Sequence, residues 1–288
     1  MKQKAGNGKN KSKKVEDRIF KFDTLRPKKG SWQWWFWLLF LDKPEKVKNP
    51  RQLMVLWSTK QDKAIECNDK LLELDLDMAE RTKGRKRDGA VAAWYFDGKK
   101  MHHNYILKQM PLIFDNNEIK TKNPETATGE KKGKFWVNLP NMDFKIKYKE
   151  KNELTKPEIH KNQFIGKYEY DLVRLNKLDL KGKIGKEKID GSAYFQRVFL
   201  NAPAVPWYWG VFHFKDGSIL NYYRPHLGTY LGKIPVKKEI IFYSKGKLHE
   251  FKNMNVKEIK KKNPIFSVKG ENKKEKIEFQ VHTYSSSF

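Results

Sequence analysis

Two aromatic runs constrain this chain more than any other feature: Trp34-Trp35-Phe36-Trp37 in the first half and Trp207-Tyr208-Trp209 in the second. Each opens a hairpin-like segment and reaches an apolar residue, Leu41 and Phe214, at the same interval. Strand side chains alternate, so Trp35, Trp37, Leu39 and Leu41 share one face, while Trp34, Phe36, Leu38 and Phe40 share the other. A strand apolar on both faces needs a core on one side and a second packing layer on the other. The pattern predicts a duplicated β architecture, one barrel packed on a partner barrel through the first aromatic strand.

The rest of the chain agrees with an all-β class. Leu53 to Trp57 returns the first strand, and Asp97-Gly98 links the runs Val91 to Phe96 and Met101 to Leu107 as a tight hairpin. Asp216-Gly217 does the same after the second aromatic run. Residues 62–81 carry two periodicities. Ile65, Leu72, Leu76 and Ala79 fit a helical face, whereas Leu72, Leu74, Leu76 and Met78 alternate, and the first part is read as a helix. Further short strands follow to Ile277–Tyr284, separated by turn residues and with little helix between them, which excludes a parallel βαβ sheet. The expected organisation is a basic arm at 1–17 without regular structure, a first barrel at 18–150, a charged linker at 151–161 and a second, short-ended barrel at 162–288.

Charge separates the functional classes. Lys and Arg number 61 against 34 Asp and Glu, a formal net charge of +27, which attracts anionic membranes and nucleic acids alike. The arm contributes six lysines and no acid from Met1 to Lys14. Cys67 is the one cysteine, so no intrachain disulfide forms and a reducing, cytoplasmic location is expected, with contact at the inner membrane face through basic patches. The longest apolar run, Trp32 to Leu41, is about half of the roughly 20 residues that a spanning helix needs. No metal set is expected, since His102 and His103 point to opposite faces of a strand, and neither a nucleotide loop nor a nucleophile elbow implies a cofactor.

Three segments carry a family resemblance: Gln33-Trp34-Trp35-Phe36, the stretch from Leu180-Lys181-Gly182 through Gly191 to Phe199, and Trp207-Tyr208-Trp209 with Phe214-Lys215-Asp216-Gly217. In order and spacing these resemble the carotenoid 1,2-hydratase (hydroxyneurosporene synthase) family and its tandem lipocalin-like relatives. The resemblance implies two lipocalin-like antiparallel barrels and an apolar ligand, isoprenoid, carotenoid-like or fatty, held in a barrel cavity. If the chain is an enzyme, it implies a hydratase/lyase- or isomerase-type reaction. Three positions depart from the family pattern: Arg197 stands where it has His, Phe199 where it has Trp, and Tyr208 where it has an acid. Protonating an alkene calls for a carboxylic acid of raised pKa, and a phenol with a reference pKa of about 10 is a weak substitute.

The candidate catalytic residues are accordingly Arg197, Tyr208 and Tyr194. The candidate ligand-binding residues are Trp207, Trp209, Phe199, Phe195, Arg224, Trp35 and Trp37. Arg197 shares a strand face with Phe195 and Phe199, where an enclosed guanidinium needs a partner or a ligand oxygen. The competing readings are core packing for the Trp residues and a rim position for His213. Two functions compete with lipid-type binding. One is a polyanion-binding protein using basic clusters such as Lys257, Lys260 to Lys262, Lys269, Lys273, Lys274 and Lys276; the other is an active carotenoid hydratase-like lyase.

Overall fold

The computed structural model describes residue 20 and residues 28–42, 49–115, 117–149, 153–165, 168–201, 207–227, 234–235, 238–260 and 264–283. The expected arm at 1–17 lies outside them. The strands are β1 (Trp32–Phe40), β2 (Gln52–Lys60), β3 (Ala64–Cys67) and β4 (Lys70–Glu73), followed by the short helix α1 (Met78–Arg81). Next come β5 (Lys86–Phe96), β6 (Met101–Asp115), β7 (Glu118–Lys122), β8 (Glu125–Lys131), β9 (Lys134–Leu139) and β10 (Met142–Lys147). After a 3-10 turn at Glu153–Thr155 follow β11 (Glu158–Ile165), β12 (Tyr168–Ile184), β13 (Glu187–Asn201) and β14 (Trp207–His213). The chain continues through β15 (Ile219–Leu227), β16 (Ile234–Pro235), β17 (Glu239–Ser244), β18 (Lys247–Phe251), β19 (Asn253–Lys260), β20 (Ile265–Glu271) and β21 (Lys276–His282).

The first barrel closes on itself in the order β10-β9-β8-β7-β6-β5-β2-β1-β13-β12, with β12 returning to β10. Closure removes every edge among these ten strands. The expected division at 151–161 is crossed by this pairing. The second barrel expected at 162–288 contains β12 and β13, yet β13 runs along all of β1 and β12 pairs with β10, so the first barrel is completed by residues 168–201. A bulge between Leu175 and Leu178 makes this possible. The part of β12 before it pairs with β11, and the part after it with β10.

Strand β1 has the two buried faces expected of it. Trp35, Trp37, Leu39 and Leu41 enter the barrel core with Trp57, Phe135, Phe144 and Phe195. On the outside Phe36, Leu38 and Phe40 pack with Met54, Tyr194, Trp209 and Val211, so β14 of the second unit covers the barrel wall. Buried indole N–H groups need acceptors, and two threonines of β8 supply them: Trp37 Nε1 donates to Thr128 Oγ1 at 2.9 Å and Trp57 Nε1 to Thr126 Oγ1 at 3.0 Å. Where β1 meets β13, Gly191 is required, because a Cβ there would lie 2.0 Å from the Phe40 carbonyl oxygen.

The expected helix over the first part of 62–81 is instead the hairpin β3–β4, and only Met78–Arg81 is helical. Asn68 and Asp69 decide it: both take positive φ, 49° and 59°, the backbone of a tight hairpin turn. The second unit holds two sheets, β14-β15-β17-β18 with β16 on β15, and β19-β20-β21. They share one core of Leu220, Tyr222, Ile240, Phe251, Met254 and Val268.

Candidate functional site

A buried region that includes the polar residues Arg174 and Asn221 lies between the barrel wall and the second unit. In β14 the alternation sends Tyr208 and Phe212 into the second core, and Trp209, Val211 and His213 toward the barrel. Residues directly opposite in a ladder point the same way, so Asn221 and Tyr223 of β15, paired with Val211 and Trp209, also face the barrel. From the barrel side, β12 contributes Arg174 and the bulge residue Asn176, and β13 contributes Ser192, Tyr194 and Gln196.

Tyr194 is fully buried, its ring 5.6 Å from that of Trp209, and its hydroxyl donates to Gln196 Oε1 at 2.7 Å. Burial pushes its pKa up to about 12 despite the opposing Arg174 charge beside it, so at neutral pH it is a phenol that donates hydrogen bonds. Arg174 is 6% exposed and donates to Glu158 Oε2 at 2.8 Å. Burial alone would lower its pKa, but Tyr194, Glu158 and Glu239 around it drive it above the ordinary arginine value. The interface between barrel and second unit therefore holds a permanent cation next to a neutral donor.

His213 is half-buried and bridges β14 to β12 and β13 of the barrel. Its Nε2 is 2.9 Å from the Asn176 carbonyl, which can only accept, so Nε2 carries the proton and Nδ1 accepts from the Ser192 hydroxyl at 2.7 Å. Burial pulls its pKa down to about 3, against the Asn176 bond that raises it. A base that weak leaves the Ser192 hydroxyl unactivated, and the pair acts as a neutral clip between barrel and second unit.

Hydrogen-bonding capacity is left unused at the amide of Gln33 on the inner face of β1 and at the interface between barrel and second unit. Arg174 Nε, Asn176 Oδ1 and both amide atoms of Asn221 are buried without a hydrogen-bond partner. Asn221 is only 5% exposed. Buried polar atoms are nearly always paired, and these lie beside one apolar wall of Phe36, Leu38 and Val211.

The ten residues singled out from sequence are divided among four places. Tyr194 and Trp209 meet at the interface between barrel and second unit. Trp35, Trp37, Phe195, Arg197 and Phe199 are buried in the first barrel, with ring packing such as Trp37 on Phe195 at 4.5 Å. Tyr208 packs in the second unit near Phe266, with the Arg224 guanidinium 5.9 Å from its ring centroid. Trp207 is 44% exposed. Arg197 and Tyr208 thus belong to different cores and do not form the pair that the family motif would make of them. Arg174 and Asn221 were missed, although each is a polar residue inside an apolar strand run, Leu172-Val173-Arg174-Leu175 and Ile219-Leu220-Asn221-Tyr222. No group of three metal-ligating side chains occurs among the described residues, and no helix among them is long and apolar enough to cross a membrane.

No family model and no curated protein matches the sequence. Solved structures do match. A Nitrosomonas europaea protein described as an AttH superposes with a TM-score of 0.52 at 12% identity, over 83% of this chain and 77% of that one. The fold is a lipocalin-like barrel. Kievitone hydratase from Nectria haematococca aligns at 12% identity and a TM-score of 0.46, covering 90% of this chain and 77% of its own. CghA in complex with Sch210972 aligns at 8% identity and 0.49, covering 88% and 76%. At these identities the likeness concerns the fold alone.

Proposed function

We propose that this protein binds an apolar small molecule bearing at least one oxygen, of isoprenoid, carotenoid-like or fatty type, in the crevice between the barrel wall and β14–β15. The observation that carries the reading is the set of unused hydrogen-bonding atoms at Arg174, Asn176 and Asn221 beside the Tyr194 hydroxyl. Leaving a buried polar group unpaired costs about 1–3 kcal/mol each, a cost that a ligand oxygen or carboxylate would relieve. Arg174 and Tyr194 orient that oxygen, and Phe36, Leu38 and Val211 take the apolar body. The permanent cation suits a carboxylate or carbonyl better than a bare hydrocarbon.

The test is titration with an environment-sensitive fatty-acid probe at low and high salt. One molecule should bind per chain, with little change between the two salts, and Tyr194→Phe should weaken binding several-fold while leaving the melting temperature within about 2 °C. Binding that collapses with salt, or a Tyr194→Phe variant that binds as tightly as wild type, would remove the crevice from consideration.

A further inference from the structure

A second feature lies on the barrel exterior, beyond the part of β12 and β13 that the second unit covers. Like charges directly opposite in a ladder are destabilising, and strand pairing normally avoids them. Here the register opposes lysine to lysine repeatedly. Lys131 of β8 faces Lys134 of β9, Lys134 faces Lys147 of β10, Lys145 of β10 faces Lys181 of β12, and Lys183 of β12 faces Lys188 of β13. All seven are exposed, and they share the outer face of five neighbouring strands, since the alternate residues Phe135, Phe144, Ile146, Leu180 and Ile189 point into the barrel. Asp143, Asp179 and Asp190 stand on the same face opposite Lys183, Lys147 and Lys181, and the seven lysines outnumber them. Neighbouring strands are about 4.8 Å apart and alternate residues about 7 Å, so each lysine stands within the roughly 8 Å Debye length of the next and their potentials add.

The composition of this face identifies its partner. It holds lysine and no arginine, hence point charges without the planar fork that reads individual phosphates. Its one aromatic, Trp136, donates Nε1–H to Glu118 at 3.0 Å and lies over Gly129, so its ring is engaged rather than available as a stacking platform for nucleobases. Strand side chains carry the lysines on flexible apolar stems, which suits a diffuse layer of anionic headgroups. We propose that the outer face of β8–β9–β10–β12–β13 docks this protein on an anionic lipid bilayer, with the opposed lysines retained for that purpose at the expense of strand pairing.

The experiment uses the full chain, vesicles of phosphatidylcholine and phosphatidylglycerol at 7:3, and 0.15 M salt. Lys134→Glu with Lys145→Glu replaces two of the opposed lysines. Lys247→Glu with Lys257→Glu makes the same change in net charge on exposed positions of the second unit. At about fivefold per lysine, the first pair should weaken vesicle binding at least about 25-fold and the second less than about threefold. The first pair should also melt at or above the wild-type temperature, because each glutamate now faces lysine; Lys134→Gln with Lys145→Gln gives the same comparison by charge removal alone. Equal loss in both pairs would reduce the effect to net charge and overturn the proposal. So would wild-type protein that ignores the anionic vesicles, or a selective loss in the first pair of tight single-stranded DNA binding instead of vesicle binding.

Discussion

Asn221→Leu separates stability from binding at the crevice. Asn221 is 5% exposed and neither its Nδ2 nor its Oδ1 has a partner, while Val211 and Ile241 face it from the neighbouring strands. Two unpaired groups at about 1–3 kcal/mol each set an upper bound near 6 kcal/mol, and the similar volume of leucine keeps the packing change small. A net stabilisation of about 2–4 kcal/mol is expected. With an unfolding entropy of about 2 cal/mol/K per residue, this raises the melting temperature of a chain this size by about 3–7 °C. Thermal and urea melts of wild type and variant, read by tryptophan fluorescence, measure it. The same variant should lose probe binding at least tenfold, because the amide no longer meets the ligand oxygen. Destabilisation by more than about 1 kcal/mol would refute the reasoning, since it would mean that the amide is already satisfied in the native fold.

The His213 clip makes a pH prediction. Its folded pKa of about 3 lies below the unfolded value of 6.5, so the unfolded state binds more protons between them. The stability that the neutral ring contributes is complete above pH 6.5 and falls as pH drops toward 3, at up to about 1.4 kcal/mol per unit. Urea midpoints at pH 7, 5 and 4 should fall more steeply for wild type than for His213→Asn; parallel curves would contradict the buried clip. Gly191→Ala should destabilise by more than about 3 kcal/mol, because its Cβ meets a backbone carbonyl that cannot rotate away, whereas Gly185→Ala, with open space around it, should cost about 1 kcal/mol for its positive φ. Similar midpoints for the two variants in urea would show that β13 can shift away from β1.

The residues reveal some of this architecture directly and hide the rest for physical reasons. The two-sided apolar pattern of Trp34 to Leu41 requires a core within and a cover without, and both are present, Trp37 inside and Phe36 against Trp209. Asp97-Gly98 and Asp216-Gly217 mark turns because glycine takes positive φ there, 94° and 81°. The pairing of β1 with β13 spans most of the chain, and no local signal specifies which distant strand closes a barrel. Periodicity also failed at 62–81, where apolar spacing fits helix and strand equally and the positive φ of Asn68 and Asp69 decided. Tyr194 and Trp209 could be chosen from the motif, but Arg174 and Asn221 become functional candidates only when a neighbouring unit buries them.

Arg174, Tyr194 and Asn221 together should hold a ligand in the protein as it leaves the cell. Native mass spectrometry of the protein purified from its own host, alongside Asn221→Leu prepared the same way, tests it most directly. Wild type should retain one oxygen-bearing apolar molecule per chain, displaced by the fatty-acid probe, and the variant should retain none. A wild-type spectrum of bare chain, or the same molecule retained equally by both proteins, would contradict the claim.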